Sequence, residues 1–291
     1  MFEILGSYAF LGPLRDADSP GENAIFRGKI EVGASSIRCY IKPFPAKTPI
    51  PGGGVIENRS IIGEALGYAL GRVCGFSVAS NAGVIILQHD QIPAAALERL
   101  ISQTPDGRRQ DEYFAWFSED MRHPALMTEC PSNAPEFLKQ KNLSRIASDL
   151  ASHKSVPSIV SFDEWTENSD RHLGNLLGSP SGELTLIDHS RLFRHPSWAP
   201  GSLAVSPLEL RNALMELIDS RIPSWSTKTP IRSARSMAYK AFSLAWKSEG
   251  KSQTESVLNE FMDPPEVIQV LDFLSSRLEP SHYTSQVGLM I

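Results

Sequence analysis

The run Asn168-Ser169-Asp170-Arg171-His172-Leu173-Gly174-Asn175 is followed, thirteen residues after Asn175, by Asp188-His189 at the end of the apolar run Leu184-Thr185-Leu186-Ile187. Three side chains here form a set with one chemical use. Phosphoryl transfer asks a protein chiefly to place an acceptor hydroxyl and to hold metal ions against nucleotide phosphates. One carboxylate has to face the acceptor oxygen, while an amide oxygen and a second carboxylate have to reach Mg²⁺, a hard cation that takes oxygen ligands. Asp170, Asn175 and Asp188 supply those groups, with Asp170 five residues before Asn175. Taken singly, an Asp or Asn in a glycine-containing loop is a cap or turn former. In this order and spacing the three point to catalysis. His172 and His189 have no third ligand at close spacing, so structural hydrogen bonding is their reading and neither is assigned to a metal.

The flanking residues give the loop a shape. Ile159, Phe162 and Trp165 recur three apart and predict a short apolar helix leading into it. Gly174 permits a tight turn before Asn175. Leu176-Leu177 and Leu184 to Ile187 predict two short strands joined by Gly178-Ser179-Pro180-Ser181-Gly182, a hairpin that brings Asn175 and Asp188 to one end.

With Leu186-Ile187-Asp188-His189 included, these motifs resemble the HipA-like kinases, distant relatives of the eukaryotic protein kinases found in bacterial toxin-antitoxin loci. They are also similar to the Asp-Arg-His…Asn and Ile-Asp-Phe-Gly motifs of phosphatidylinositol 3- and 4-kinases. The chain departs from the lipid-kinase pattern at His189-Ser190, where those enzymes have Phe-Gly, and Asp-His favours the HipA-like side. The resemblance implies a two-lobed protein-kinase-like α+β fold that uses ATP and Mg²⁺. It further implies a toxin-type kinase acting on protein Ser or Thr, with an inhibitory antitoxin-like partner and autophosphorylation.

Ile37-Arg38-Cys39-Tyr40-Ile41-Lys42-Pro43 alternates like a strand, and Lys42 is the candidate phosphate lysine. Asn58 to Gly71 carries apolar residues at helical spacing, with Glu64 inside it. In kinases a helix glutamate orients the strand lysine on the phosphates, and Glu64 is the candidate here, with Glu57 its rival. No G-x-G-x-x-G precedes Lys42. Asp18 to Asn23 is preferred as the phosphate-cradling loop, with Ser19, Gly21 and Asn23 as nucleotide-binding candidates, while Gly33-Ala34-Ser35-Ser36 is the natural hairpin turn before the lysine strand. Pro43 to Gly54, rich in Pro and Gly, is expected to be a mobile loop near the nucleotide. Ala82 to Leu87 and Tyr113 to Phe117 are buried-strand candidates. The second leads into Ser118-Glu119-Asp120 like a kinase hinge, where adenine would use backbone groups and an apolar slot.

Composition is compatible with this reading. A chain of 291 residues with 41% hydrophobic content can bury a large core. No apolar run approaches the roughly twenty residues that span a bilayer, and Met1-Phe2-Glu3 lacks the basic start of a secretory signal. Cys39, Cys74 and Cys130 are odd in number and far apart, so neither a disulfide framework nor a zinc ribbon is expected, and cytoplasmic residence in a reducing compartment is. A net charge of −5 argues against an extensive nucleic-acid surface.

Beyond Asp188 the pattern is helical, at Pro207 to Ile218, Ile231 to Trp246, Gln253 to Met262 and Pro264 to Leu278. Pro280 to Ile291 is expected to fray. Arg191 to Ala204 stands where protein kinases carry an activation loop but has no Ala-Pro-Glu anchor. The expected organisation is an amino-terminal nucleotide-binding lobe over 1–117 and a helical catalytic lobe over 118–291. The expected reaction moves the γ-phosphoryl group of ATP to a hydroxyl. Asp170, Lys42 and Glu64 are the catalytic candidates, and Asn175 and Asp188 the metal ligands. A lipid or small-molecule kinase, a pseudokinase binding module and a non-enzymatic partner of another complex remain as alternatives.

Overall fold

Alternating burial along Phe26–Val32 and Ser35–Pro43, which pair antiparallel, gives this part of the sheet one buried face and one more open face. The computed structural model describes residues 2–14, 24–50, 52–203 and 211–288. Its strands are β1 (Glu3–Leu5), β2 (Phe10–Pro13), β3 (Phe26–Val32), β4 (Ser35–Pro43), β5 (Lys47–Pro49), β6 (Val55–Glu57), β7 (Ala82–Gln88), β8 (Glu112–Glu119), β9 (Leu176–Gly178) and β10 (Leu184–Leu186). The helices are α1 (Ser60–Val73), α2 (Ala94–Gln103), α3 (Glu136–Ser152), α4 (Val156–Trp165), α5 (Ala213–Arg221), α6 (Thr229–Ala245), α7 (Lys251–Leu258), α8 (Pro264–Ser276) and α9 (Pro280–Gln286).

Six of the described strands form one sheet in the order β1-β7-β8-β4-β3-β2, antiparallel except for the parallel β1–β7 pair. Its outer face packs Phe26, Ile30, Cys39 and Ile41 against Ala96 and Leu100 of α2. Its inner face puts Ala82, Val84 and Trp116 into a larger core shared with α1 and the helices that follow. Almost every position of α1 is buried, because the helix lies between the sheet and α7. Beyond the sheet the chain is mainly helical. The architecture is thus α+β with two lobes, a mixed sheet lobe and a helical lobe, and β8 carries the sheet past residue 117 to Glu119.

Several expectations are corrected. Pro43 to Gly54 is no plain loop, since Lys47–Pro49 pairs with Val55–Glu57 as a ribbon, and the positive φ of Gly52, Gly53 and Gly54 makes its turn. Pro280 onward does not fray over the described residues: α9 stacks Tyr283 on Tyr239 with ring centroids 5.4 Å apart, and Val287 is buried. The amphipathic run at Pro207 forms helix only from Ala213, with Asn212 capping it by accepting from Met215 N at 3.0 Å; residues 204–210 lie outside the described residues.

The three cysteines pair with nothing as disulfides. Burial pushes the thiols of Cys39 and Cys74 up to about 12, which keeps them protonated and unreactive. Among the described residues no helix is long and apolar enough to cross a membrane.

Candidate active site

The apolar face of α4 buries Ile159, Phe162 and Trp165, and the chain then turns through Thr166 and Glu167 into the loop that carries Asp170. Asn168 stabilises this turn by accepting from Asp170 N at 3.2 Å and donating to Asp163 at 2.9 Å. His172 Nδ1 accepts from Gly174 N at 2.9 Å, so its role is structural. A Cβ at Gly174 would lie 2.6 Å from that imidazole, so the turn requires glycine here for close approach. Asn175 Nδ2 donates to the carbonyl of Asp170 at 2.8 Å, which fixes the carboxamide and leaves Oδ1 without a hydrogen bond among the described residues.

The expected hairpin forms, with Leu176 opposite Leu186 and Gly178 opposite Leu184. Ile187 N continues the ladder onto Asn175 O at 3.3 Å, so Asn175 and Asp188 stand at the same end. Asp188 itself has φ 54°, in the left-handed region that Asp tolerates better than most residues.

From the sheet lobe, Lys42 meets this end of the hairpin. Its Nζ lies 2.8 Å from Asp188 Oδ1, 3.2 Å from Glu64 Oε1 and 2.9 Å from Ser190 Oγ. Ser190 in turn donates to Asp188 Oδ1 at 2.8 Å. The other oxygen of Glu64 accepts from His189 N at 2.8 Å, so α1 holds both the lysine and the Asp-His strand end. Glu57 is mostly exposed and its nearest cation is Arg59 at 3.9 Å, which removes it as the partner of Lys42.

The electrostatics follow from burial and from which carboxylate claims the lysine. Burial alone would lower the Lys42 ammonium, but Asp188 and then Glu64 override it and hold it above its ordinary value. Burial alone would raise Asp188, yet its contact with Lys42 takes it well below the usual carboxylate range. Glu64, the more distant partner, is pushed up to about 7 by desolvation that Lys42 offsets only in part. A carboxyl with a folded pKa above its unfolded value stabilises the fold below the unfolded pKa and loses that contribution as pH rises through the folded one. Glu64 is therefore expected to contribute a loss of stability between about pH 5 and pH 7, opposite in sign to the contribution of buried His189, and Glu64→Gln to remove that part of the pH dependence. Denaturant unfolding at a series of pH values checks this; equal slopes in both proteins would contradict it.

Sequence reasoning missed the hub that holds these pieces. Arg171, with no exposed surface, donates through Nη1 to the carbonyls of Asn175 (3.2 Å) and Ile187 (2.6 Å), tying the two ends of the hairpin together. Its Nε and Nη2 bind fully buried Asp163, and Nη2 also reaches His189 Nδ1 at 3.2 Å. An arginine can only donate, so Nδ1 is the acceptor and His189 is neutral. Burial and then Arg171 lower the basicity of this histidine well below its ordinary value. Two more buried pairs brace the same corner: Arg235 on Glu164 at 2.7 Å and Arg277 on Glu167 at 3.0 Å.

A second missed feature is the small-residue face of α1. A Cβ at Gly67 would sit 2.2 Å from the side chain of His189, and one at Gly63 would sit 2.8 Å from His189 O. These glycines let the Asp-His-Ser strand end lie directly on the helix. Gly67→Ala is expected to cost roughly 1–3 kcal/mol of stability through overpacking; an unchanged denaturation midpoint would contradict this contact.

Ser19, Gly21 and Asn23 lie outside the described residues, between β2 and β3, while Gly33-Ala34 is the β3–β4 turn. The segment after Ser190 buries Leu192, Phe193 and Trp198 and is anchored to the start of α1, where Arg59 N donates to Pro196 O at 2.9 Å and the guanidinium lies 5.1 Å from the Trp198 ring.

Comparison with solved structures agrees with this layout. The chain superposes on the crystal structure of a Helicobacter pylori proinflammatory kinase, CtkA, with a TM-score of 0.55 at 10% identity, covering 98% of each chain. The fold is kinase-like. A Leishmania major MAP kinase (TM-score 0.30, 13% identity, 96% of this chain and 81% of that one) and a golgi casein kinase (0.36, 12%, 92% and 70%) also match. No family profile matches the sequence, and no curated protein is similar to it.

The donor set suits the expected metal. Asn175 Oδ1 and the Asp188 carboxylate are hard oxygens at one end of a hairpin, and Mg²⁺ is commonly held by one or two such groups together with phosphates and water. Among the described residues no cluster of three or more His, Cys, Asp or Glu forms a soft or closed metal cage.

Proposed function

We propose that the chain is an ATP- and Mg²⁺-dependent kinase of the HipA-like type that transfers the γ-phosphoryl group to a Ser or Thr hydroxyl of a protein. The observation that carries this reading is the convergence on one Lys42 ammonium of Glu64 and Asp188, 22 and 146 residues away in sequence. A buried lysine between two carboxylates at the mouth of a metal-suited hairpin is a phosphate site.

In this reading Lys42 binds phosphate oxygens and Glu64 keeps it oriented. Asn175 and Asp188 would hold Mg²⁺, which when bound neutralises charge on the phosphates. Asp170, only partly buried, has no hydrogen bond or ion pair on its carboxylate among the described residues, so both oxygens are available to a substrate. It accepts the proton of the acceptor hydroxyl as the oxygen attacks. Loss of that O–H bond accompanies formation of the new P–O bond, and the bond from the γ-phosphorus to the bridging oxygen of ADP breaks.

A role as a toxin restrained by an antitoxin-like protein belongs to the same proposal and rests on the motif resemblance. Asp188→Ala is expected to weaken Mg²⁺-dependent ATP binding by tenfold or more in calorimetric titration. Binding equal to wild type with Mg²⁺ present would remove Asp188 from the metal site.

A further inference from the structure

The two hydrophobic cores say which side chains of β3 and β4 look into the space between the lobes. Cys39 and Ile41 lie in the outer core beneath α2, whereas Trp116 lies in the inner one. Trp116 is the register partner of Lys42, Ser118 is that of Tyr40, and Tyr40 faces Arg27 across β3–β4. Because side chains alternate along a strand, Lys42, Tyr40 and Arg27 all stand on the inner face.

From Lys42 this face is closed in one direction and open in the other. Toward the end of β4, Phe44 lies under the Lys42 ammonium, 5.4 Å from Nζ to the ring centroid, and is buried. Toward the start of β4, Tyr40 lies two residues away, about 7 Å along the strand, and keeps 41% of its surface. Arg27 covers part of its ring, with Cζ 5.6 Å from the centroid. Asp120, directly after β8, locks Arg27 at 2.6 Å and accepts from Arg122 N at 2.9 Å through its other oxygen. The sequence led us to expect an apolar slot beside the segment after β8. The structure puts a phenol ring and a clamped guanidinium there.

We propose that Tyr40 is the base-binding residue of this chain: the nucleotide base stacks on its ring, and Arg27, held by Asp120, is the positioning residue that keeps the ring in place. The inference rests on the proposed phosphate site at Lys42, since the open direction from that lysine is the one the base must take. An aromatic platform suits any base, because every base presents a π-face. A guanidinium against the same ring adds a cation–π contact that orders the phenol without ligand present.

Calorimetric titration with ATP and with inorganic tripolyphosphate, both with Mg²⁺, tests this, because tripolyphosphate has the phosphates and no base. Tyr40→Ala is expected to weaken ATP binding about tenfold or more, the range of base–aromatic stacking, and to leave tripolyphosphate binding within about twofold. Tyr40→Phe keeps both affinities, and Arg27→Ala weakens ATP alone. Tyr40→Ala binding ATP as tightly as wild type, or losing ATP and tripolyphosphate alike, would overturn the stacking role while leaving the phosphate site standing. Wild-type protein that binds neither probe would overturn the phosphate site and this inference together.

Discussion

Replacing Asp170 with Asn is expected to lower the rate of phosphoryl transfer by about 10²–10⁴-fold, the usual contribution of a positioned general base, with nucleotide affinity unchanged. The asymmetry follows from where the side chain sits. Asp170 lies on the loop side of the site, its carboxylate bonded to nothing among the described residues, while Glu64 and Asp188, the groups proposed to serve the nucleotide with Lys42, both bind that lysine. Asn keeps size and shape and removes only the ability to take a proton. The backbone contacts of the loop, Asp170 N on Asn168 Oδ1 and Asp170 O receiving Asn175 Nδ2, are independent of that carboxylate, so the loop should keep its fold. Single-turnover kinetics beside calorimetry separates the two effects. A variant that transfers at the wild-type rate, or one that loses ATP binding, would contradict the assigned role.

The second large effect is structural. Arg171→Met is expected to cost about 3–5 kcal/mol of stability, because it leaves the Asp163 carboxylate buried and uncompensated. Burial already pushes Asp163 above its ordinary value despite Arg171, which shows how strongly this position depends on its partner. The same change releases the carbonyls of Asn175 and Ile187, so the two strand ends of the β9–β10 hairpin lose their common clamp. Removing both charges in Arg171→Met with Asp163→Leu should recover much of the stability, since a buried pair can be replaced by apolar groups at little net cost. Activity should stay low, because nothing replaces the clamp. Denaturant midpoints for the two variants check the first claim and transfer rates the second. A single variant within 1 kcal/mol of wild type would contradict the buried-pair account.

Local pattern revealed the elements that carry chemistry. β4 with Lys42, α1 with Glu64, α4 and the β9–β10 hairpin all have alternating or helical apolar spacing, or turn residues at their ends, and each forms near its expected limits. Besides α9, where fraying was expected, two helices stayed hidden for physical reasons. α2 begins after Pro93 with Ala-Ala-Ala, and only Ala96 and Leu100 are buried, too thin a stripe to register. α3 buries Ile146, Ala147 and Leu150 in its second half, while its first half leaves Phe137 and Leu138 exposed, so its pattern is broken. At the site, the candidate residues Lys42, Glu64, Asp170, Asn175 and Asp188 were legible because each sits in a short motif. Arg171 lies inside the same motif, yet its function depends on Asp163, Ile187 and His189, which only the fold brings together. The polar roof of Tyr40 and Arg27 was hidden for a related reason: strand alternation alone does not say which face meets the second lobe, and the two cores decide it.

The most direct test of the kinase reading is to incubate the purified full chain with γ-phosphate-labelled ATP and Mg²⁺, alone and with cell extract, and to locate the label by mass spectrometry. The arrangement of Lys42, Glu64, Asp170, Asn175 and Asp188 predicts label on a protein Ser or Thr with wild type and none with Asp170→Asn. ATP that binds without label appearing on any acceptor would contradict it.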